Sequence, residues 1–339
     1  MENSKFIRLG IGFIVVVVAG VVLRLAKPAL IPLFLAFFLS LIVSPVMNFF
    51  TRHKIPKFVS VVVILLATFL LVYFLGVMLY SSGKAFADEI PVYSQKLMGV
   101  GAALEKAFHL PHSAWNLQGW IEHLNFNRIA SILLSSLGTF FSFISDVFLV
   151  LLFLLFILAS RGRMTQKIPQ AFDPERSSQI LDVLGKIDCQ MQKYLAIKTL
   201  MSLVNGLVIG IVLLIFGVPF AVLFGVLNFL LNYIPTIGSI IGTTLPVLIA
   251  ALQFDSLWPA FWLLIILMGL QMLMGNWLEP KLMGTSLGMS PLLVLFALFF
   301  WGWLWGIPGM ILAVPIMAIL QIIFKNIPSL NFLAVLMEK

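Results

Sequence analysis

The chain is 339 residues long, 61% hydrophobic and only 10% charged, with 21 Lys+Arg against 13 Asp+Glu and a formal net charge of +8. A soluble domain averages about 45–50% apolar and about 25% charged residues, so this composition excludes a soluble globular protein and a disordered chain. A single cysteine, Cys189, excludes an internal disulfide. The basic residues punctuate apolar runs instead of forming a stripe interleaved with aromatics, which excludes nucleic acid as a partner and marks charges that orient a chain in a lipid bilayer.

A helix needs about 20 apolar residues to cross a hydrocarbon core of about 30 Å. The first such run is Phe6–Leu23; Arg24-Leu-Ala-Lys27-Pro28 follows it without a small-residue cleavage site, so it reads as a span and not as a leader. Ala29–Phe50 and Phe58–Tyr80 are the second and third, separated by the basic turn Arg52-His53-Lys54. Residues 83–135 break the pattern. Phe86, Ile90, Tyr93, Leu97 and Val100 recur at helical spacing there and predict an amphipathic helix within a small helical domain outside the bilayer. A fourth span lies within 136–160. The polar stretch that follows carries Arg161, Arg163, Lys167, Arg176, Lys186, Lys193 and Lys198, with a helix start at Asp173-Pro174-Glu175. Leu195–Val218 is the fifth run.

The last third differs. Runs 220–252 and 291–324 are each too long for one span and too short for two, and each is interrupted by turn residues: Asn232-Tyr-Ile-Pro235-Thr-Ile-Gly238 in the first, Gly306-Ile-Pro308-Gly309 in the second. Arms of about 12–16 residues would reach roughly 18–24 Å at 1.5 Å per residue, which predicts re-entrant or broken hairpins. Pro246 and Pro315, further along the second arms, predict kinks. An ordinary span, Leu257–Gly275, and a polar joint containing Asn276, Glu279 and Lys281 lie between the hairpins.

The expected fold is therefore all-α and polytopic, with about six full spans, two hairpins in the C-terminal third and a small extramembrane helical domain. The expected divisions are three transmembrane helices in 1–82, the extracytoplasmic domain in 83–135, a transmembrane helix in 136–160, a cytoplasmic helical segment in 161–194 and a transport domain in 195–339. With the N-terminus in the cytoplasm, fifteen of the 21 basic residues fall on the cytoplasmic side, which places both termini inside.

Backbone that leaves helical geometry within a bilayer is tolerated only where protein or a wet cavity replaces lipid, and paired interrupted segments point to a transporter's binding site. Asn228, Asn232, Pro235, Gly238, Gln271, Asn276, Trp303, Pro308 and Gly309 are the candidate solute-binding residues. Asn205 and Gln321 are further polar candidates for lining a path, and Trp301, Trp303 and Trp305 equally fit an aromatic belt at the membrane interface. Ionisable groups near spans are candidates for coupling: Glu279, paired with Lys281 or carrying a proton, and Asp146; Asp255 reads as solvated. The expected partners are the bilayer, a small polar solute, and protons or sodium ions.

Catalytic readings fail. Gly284-Thr-Ser286-Leu-Gly288 matches a serine-hydrolase elbow, but every histidine precedes it (His53, His109, His112, His123), against the order that fold requires. A Walker lysine motif and a His-Glu-x-x-His pair are absent, and Pro111 interrupts His109 and His112, so no enzyme activity, cofactor or metal is expected.

Asn232-Tyr-Ile-Pro-Thr-Ile-Gly238, Leu278-Glu-Pro-Lys-Leu-Met-Gly284, Leu287-Gly-Met-Ser-Pro291, and Phe299 through Gly306 with Gly309-Met-Ile-Leu-Ala-Val-Pro315 resemble the autoinducer-2 exporter family of bacterial permeases. The resemblance covers three spans, the outer segment and the long C-terminal block. It implies a multispanning inner-membrane protein that forms a homo-oligomer and passes small solutes. Family members include exporters of the furanone signal and sodium(lithium)/proton antiporters; a non-transporting membrane scaffold is the remaining alternative.

Overall fold

The computed structural model describes residues 2–108, 140–160, 162–254, 256–283 and 288–338. His109, His112, His123 and Asp255, most of the Gly284–Gly288 pattern and the second half of the expected 83–135 domain lie outside the described residues.

The described residues are built from helices, with one isolated bridge between Met289 and Glu338. The elements in chain order are α1 (Glu2–Leu25), α2 (Lys27–Arg52), α3 (Lys57–Phe108), α4 (Phe140–Ser160), α5 (Arg163–Ala171), α6 (Pro174–Ile215), α7 (Ala221–Leu231), α8 (Ile237–Gln253) and α9 (Trp258–Gln271). A π-helical segment, Met272–Leu278, then leads into α10 (Glu279–Met283), followed by α11 (Pro291–Trp305), α12 (Ile307–Lys325), a 3₁₀ turn (Pro328–Leu330) and α13 (Asn331–Met337). Among the described residues, five helical stretches are long and apolar enough to cross a membrane: Lys27–Arg52, Lys57–Tyr93, Pro174–Ile215, Trp258–Met283 and Ile307–Lys325. A sixth is added if Ser145–Ser160 and Thr165–Ala171, bent by 62° from each other, count as one span. The chain is a polytopic helical membrane protein. Its large exposed apolar side chains, such as Leu71, Phe74 and Ile240, are groups that lipid solvates.

Two helices run on where the sequence suggests a boundary. α3 continues without interruption through residues 83–108, because neither a Gly–Pro pair nor a capping residue stops it and Pro91 is carried inside the helix. α6 likewise begins at Pro174, where the Asp173 carbonyl accepts the Ser177 amide at 2.8 Å, and passes through positions 194 and 195 unbroken to Ile215. Pro246 and Pro315 also lie inside single helices, α8 and α12.

The chain divides into two compact units that do not follow chain order. One comprises Met1–Phe69, Asp146–Ile197 and Met283–Lys339; the other comprises Leu70–Ser145 and Lys198–Leu282. The first unit has a core of Ala36 and Met47 from α2, Val61 and Ile64 from α3, and Leu154 and Leu158 from α4. It also holds the hairpin α11–α12, which turns at Gly306 (φ 72°, ψ −146°). There the buried Trp305 ring lies 5.4 Å from Phe34, and its indole Nε1 donates to the Leu23 carbonyl at 3.1 Å.

The second unit holds the hairpin α7–α8. Its core joins Ile209 and Leu213 of α6, Ala221 and Phe224 of α7, Ile249 and Ala250 of α8, and Leu263 and Leu267 of α9. Of the apolar face predicted for residues 86–100, two residues contribute here: Phe86 stands edge-on to Phe220 and Phe224 at 5.4 and 6.2 Å, and Tyr93 is buried in the same core. A Cβ on Gly206 of α6 would lie 2.6 Å from the Gly225 carbonyl of α7, so only glycine permits the two backbones to approach this closely.

Candidate functional site

Close approach of α6 and α7 brings amides together from four elements, all within the second unit. Asn205 comes from α6, Asn228 from α7, Asn232 from the hairpin turn and Gln271 from the end of α9. Asn205 and Asn228 are each only 1% exposed. An amide buried among aliphatic groups is costly unless hydrogen-bonded, and these four bond chiefly to one another. Asn205 Nδ2 lies 3.4 Å from Asn228 Oδ1, 3.4 Å from Asn232 Oδ1 and 3.3 Å from Gln271 Oε1. Gln271 Nε2 donates to Asn228 Oδ1 at 3.1 Å, and Asn232 Nδ2 donates to Ser202 Oγ at 2.9 Å.

The polarity of this network is set by the backbone. Asn228 Nδ2 donates to the Gly242 carbonyl at 2.9 Å, and a carbonyl can only accept. Asn228 Oδ1 must therefore face inward and accept, which turns the Nε2 of Gln271 toward it and leaves Gln271 Oε1 to accept from Asn205. Asn205 then presents two N–H groups to three acceptors, and its own Oδ1 is buried without a donor among the described residues. The cluster is thus rich in acceptors and short of donors.

The hairpin turn holds Asn232 in place. Thr236 has φ 62° and ψ −56°, a sparsely populated region for a β-branched residue. The Ile237 amide closes the turn onto the Pro235 carbonyl at 2.7 Å. A Cβ on Gly238 would run into the Leu231 carbonyl, so this position admits glycine alone. Tyr233 beside it donates its hydroxyl to Thr199 Oγ1 of α6 at 2.8 Å.

Below the amides lies an ion pair: Lys198 Nζ of α6 is 2.6 Å from Glu279 Oε1, with the two side chains 5% and 17% exposed. This corrects the expected Glu279–Lys281 pairing. Residues two apart on a helix do not face each other, and Lys281 instead sits over the Trp277 ring, 4.7 Å from its centroid. Lys198, Ser202 and Thr199 are the residues that sequence reasoning missed as members of this site; Lys198 and Ser202 share a face of α6 with Asn205, and Thr199 lies about a third of a turn round from it, toward Tyr233.

Of the predicted binding residues, Asn228, Asn232, Pro235, Gly238 and Gln271 come together in this unit. Asn276 is exposed in the π-helical segment and is not among the bonded amides. Trp303, Pro308 and Gly309 belong to the hairpin of the other unit. There Gly309 is buried against the Trp301 carbonyl, while Trp303 is 67% exposed with the Arg24 guanidinium 5.5 Å from its ring centroid. Asp146 is exposed on α4. Among the described residues no group of His, Cys, Asp and Glu is placed to hold a metal.

The AI-2E family transporter profile matches residues 11–329. The chain belongs to the AI-2E transporter family. It is 32% identical to a putative transport protein of Haemophilus influenzae, over 95% of this chain and 92% of that one. It is 30% identical to the AI-2 transport protein TqsA of Escherichia coli, over 99% and 96%, and 32% identical to a putative transport protein of Borreliella burgdorferi, over 92% and 85%. As an AI-2E family member it is a multi-pass membrane transporter of the bacterial inner membrane.

Proposed function

We propose that this AI-2E transporter exports a small, uncharged polar solute, with autoinducer-2 as the cargo to test first, and that the amide cluster of Asn205, Asn228, Asn232 and Gln271 is where the solute binds. One observation carries the reading: the Gly242 carbonyl orients Asn228, and through it Gln271 and Asn205, so that Asn205 Oδ1 is a buried acceptor lacking a donor among the described residues. An orphaned buried acceptor costs about 1–3 kcal/mol, and a hydroxyl-bearing solute supplies the missing donor. The bonded amides carry no net charge, and Glu279, eight positions after Gln271, is paired with Lys198, which favours recognition by hydrogen bonds over exchange of ions. The similarity to TqsA supports autoinducer-2 as the first cargo. Asn205 and Asn228 are buried while Asn232 and Gln271 are half-buried, so solute meets the latter two first and reaches Asn205 Oδ1 as α7 and α8 part from α6. The distribution of Lys and Arg supports both termini in the cytoplasm, and the protein is proposed to work as a homo-oligomer.

The test is autoinducer-2 flux in everted membrane vesicles with Asn232→Ala. Loss of two hydrogen bonds lowers flux at least about tenfold while insertion and elution profile stay unchanged. Flux equal to the wild type in that variant removes Asn232 and the cluster from the transport path.

A further inference from the structure

The π-helical segment Met272–Leu278 lies between two tethers to the same helix. At its upstream end Gln271 bonds Asn205 at 3.3 Å; at its downstream end Glu279 pairs with Lys198 at 2.6 Å. α6 and α9 run antiparallel here, since Lys198 meets Glu279 and Asn205 meets Gln271. Lys198 and Asn205 are seven positions apart, which at about 100° per residue is about 20° short of two turns, so both face the same side of α6. Gln271 and Glu279 are eight positions apart. In an α-helix that spacing overshoots two turns by about 80°, and the two side chains would not both face α6. Winding by i→i+5 turns fewer degrees per residue and absorbs the extra position. The segment therefore stores one residue more than the spacing on α6 calls for.

We propose that Lys198 and Glu279 are positioning residues: their ion pair holds the surplus residue in the π form, and by doing so keeps the Gln271 amide turned into the solute-binding cluster. This rests on the cluster being the solute site. Two further observations fit. Lys198 is 5% exposed and sits opposite the start of α10, so the tether is buried and has little water to compete with it. The π segment itself has no fully buried residue, Met274 and Leu278 being half-buried, and a Cβ at Gly275 would meet nothing within 4 Å, so side-chain packing holds this backbone form only loosely. Released from Lys198, the segment relaxes toward α geometry and rotates Gln271 away from Asn205 and Asn228.

The arithmetic supplies the experiment. Deleting Gly275 leaves seven positions between Gln271 and position 279, the same number as between Lys198 and Asn205, so both positions face α6 on an ordinary α-helix without any tether. The full chain in lipid is compared as wild type, as the neutral pair Lys198→Met with Glu279→Gln, and as that pair with Gly275 deleted. Autoinducer-2 flux and amide hydrogen exchange over 272–278 are both read. The neutral pair lowers flux at least about tenfold and raises exchange at 272–278. The deletion returns flux to within about threefold of the wild type and exchange to low values, which a purely stabilising ion pair would not do. Failure of the deletion to restore either readout overturns the proposal, as does unchanged exchange in the neutral pair. Should the neutral pair fail to insert, the reversed pair, Lys198→Glu with Glu279→Lys, carries the test: exchange at the wild-type level supports the tether, and faster exchange overturns it. If wild-type protein moves no autoinducer-2, the choice of cargo fails on its own, and the exchange measurements still decide whether Lys198 and Glu279 hold the π form.

Discussion

Asn228 donates its side-chain amide to the Gly242 carbonyl at 2.9 Å across the two arms of one hairpin. That bond joins the two helices of the hairpin, and it decides which way the amides of Gln271 and, through it, Asn205 point. Asn228→Asp replaces the donating Nδ2 with an oxygen that faces the carbonyl. The variant is expected to lose about 1–3 kcal/mol of stability, read as a lower thermal midpoint in detergent. Asn228→Ala, which removes the amide without creating a repulsion, is expected to lose less.

The hairpin turn is built for one residue type at Gly238. A Cβ there meets the backbone carbonyl of Leu231, which cannot rotate out of the way. Gly238→Ala is expected to cost about 1–3 kcal/mol by overpacking and to lower folded yield, whereas Gly269→Ala, with nothing within 4 Å of its Cβ, leaves the yield unchanged. Equal yields of the two variants would contradict the close turn.

In the other unit the indole of Trp305 donates to the Leu23 carbonyl at 3.1 Å from a fully buried position. Trp305→Phe keeps most of the ring's packing and deletes the donor. It is expected to lower stability by about 1 kcal/mol, seen as a shift in the thermal midpoint, and an unchanged midpoint would argue against this bond.

Trp303 gives a negative prediction. It is exposed with Arg24 over its ring, so Trp303→Ala is expected to keep autoinducer-2 flux within about twofold of the wild type. A loss comparable to that of Asn232→Ala would restore Trp303 to the solute path.

Much of this arrangement can be read from residue types. Asn228 and Asn232 stand out because amides in a long apolar run must find partners, and Pro235 and Gly238 mark the turn because neither continues a helix without loss. Gln271 is legible for the same reason as the asparagines. Lys198 is not: in the sequence it closes a basic stretch that reads as a cytoplasmic face, and only the unbroken course of α6 carries it to the level of Glu279. The pairing of Glu279 is hidden for a related reason, since its partner lies 81 positions away while Lys281 is adjacent in sequence but turned to Trp277. A seven-residue π segment leaves no trace in hydrophobic period, because too few residues sample it. α3 runs past the expected membrane edge because the apolar stripe from Phe86 to Tyr93 packs on Phe220 and Phe224, which a one-dimensional pattern shows as amphipathic without saying what it covers.

Replacement of Asn205 tests the central claim most directly, since its Oδ1 is the acceptor left for the solute. Purified Asn205→Leu and wild-type protein in proteoliposomes are compared for autoinducer-2 flux, with the thermal midpoint of each measured in the same lipid. Binding at the amide cluster predicts a fall in flux of at least about tenfold in protein that still folds and inserts, with a thermal midpoint below the wild-type value because Asn232 Oδ1 and Gln271 Oε1 lose the Asn205 donor. Flux within about twofold of the wild type would contradict it.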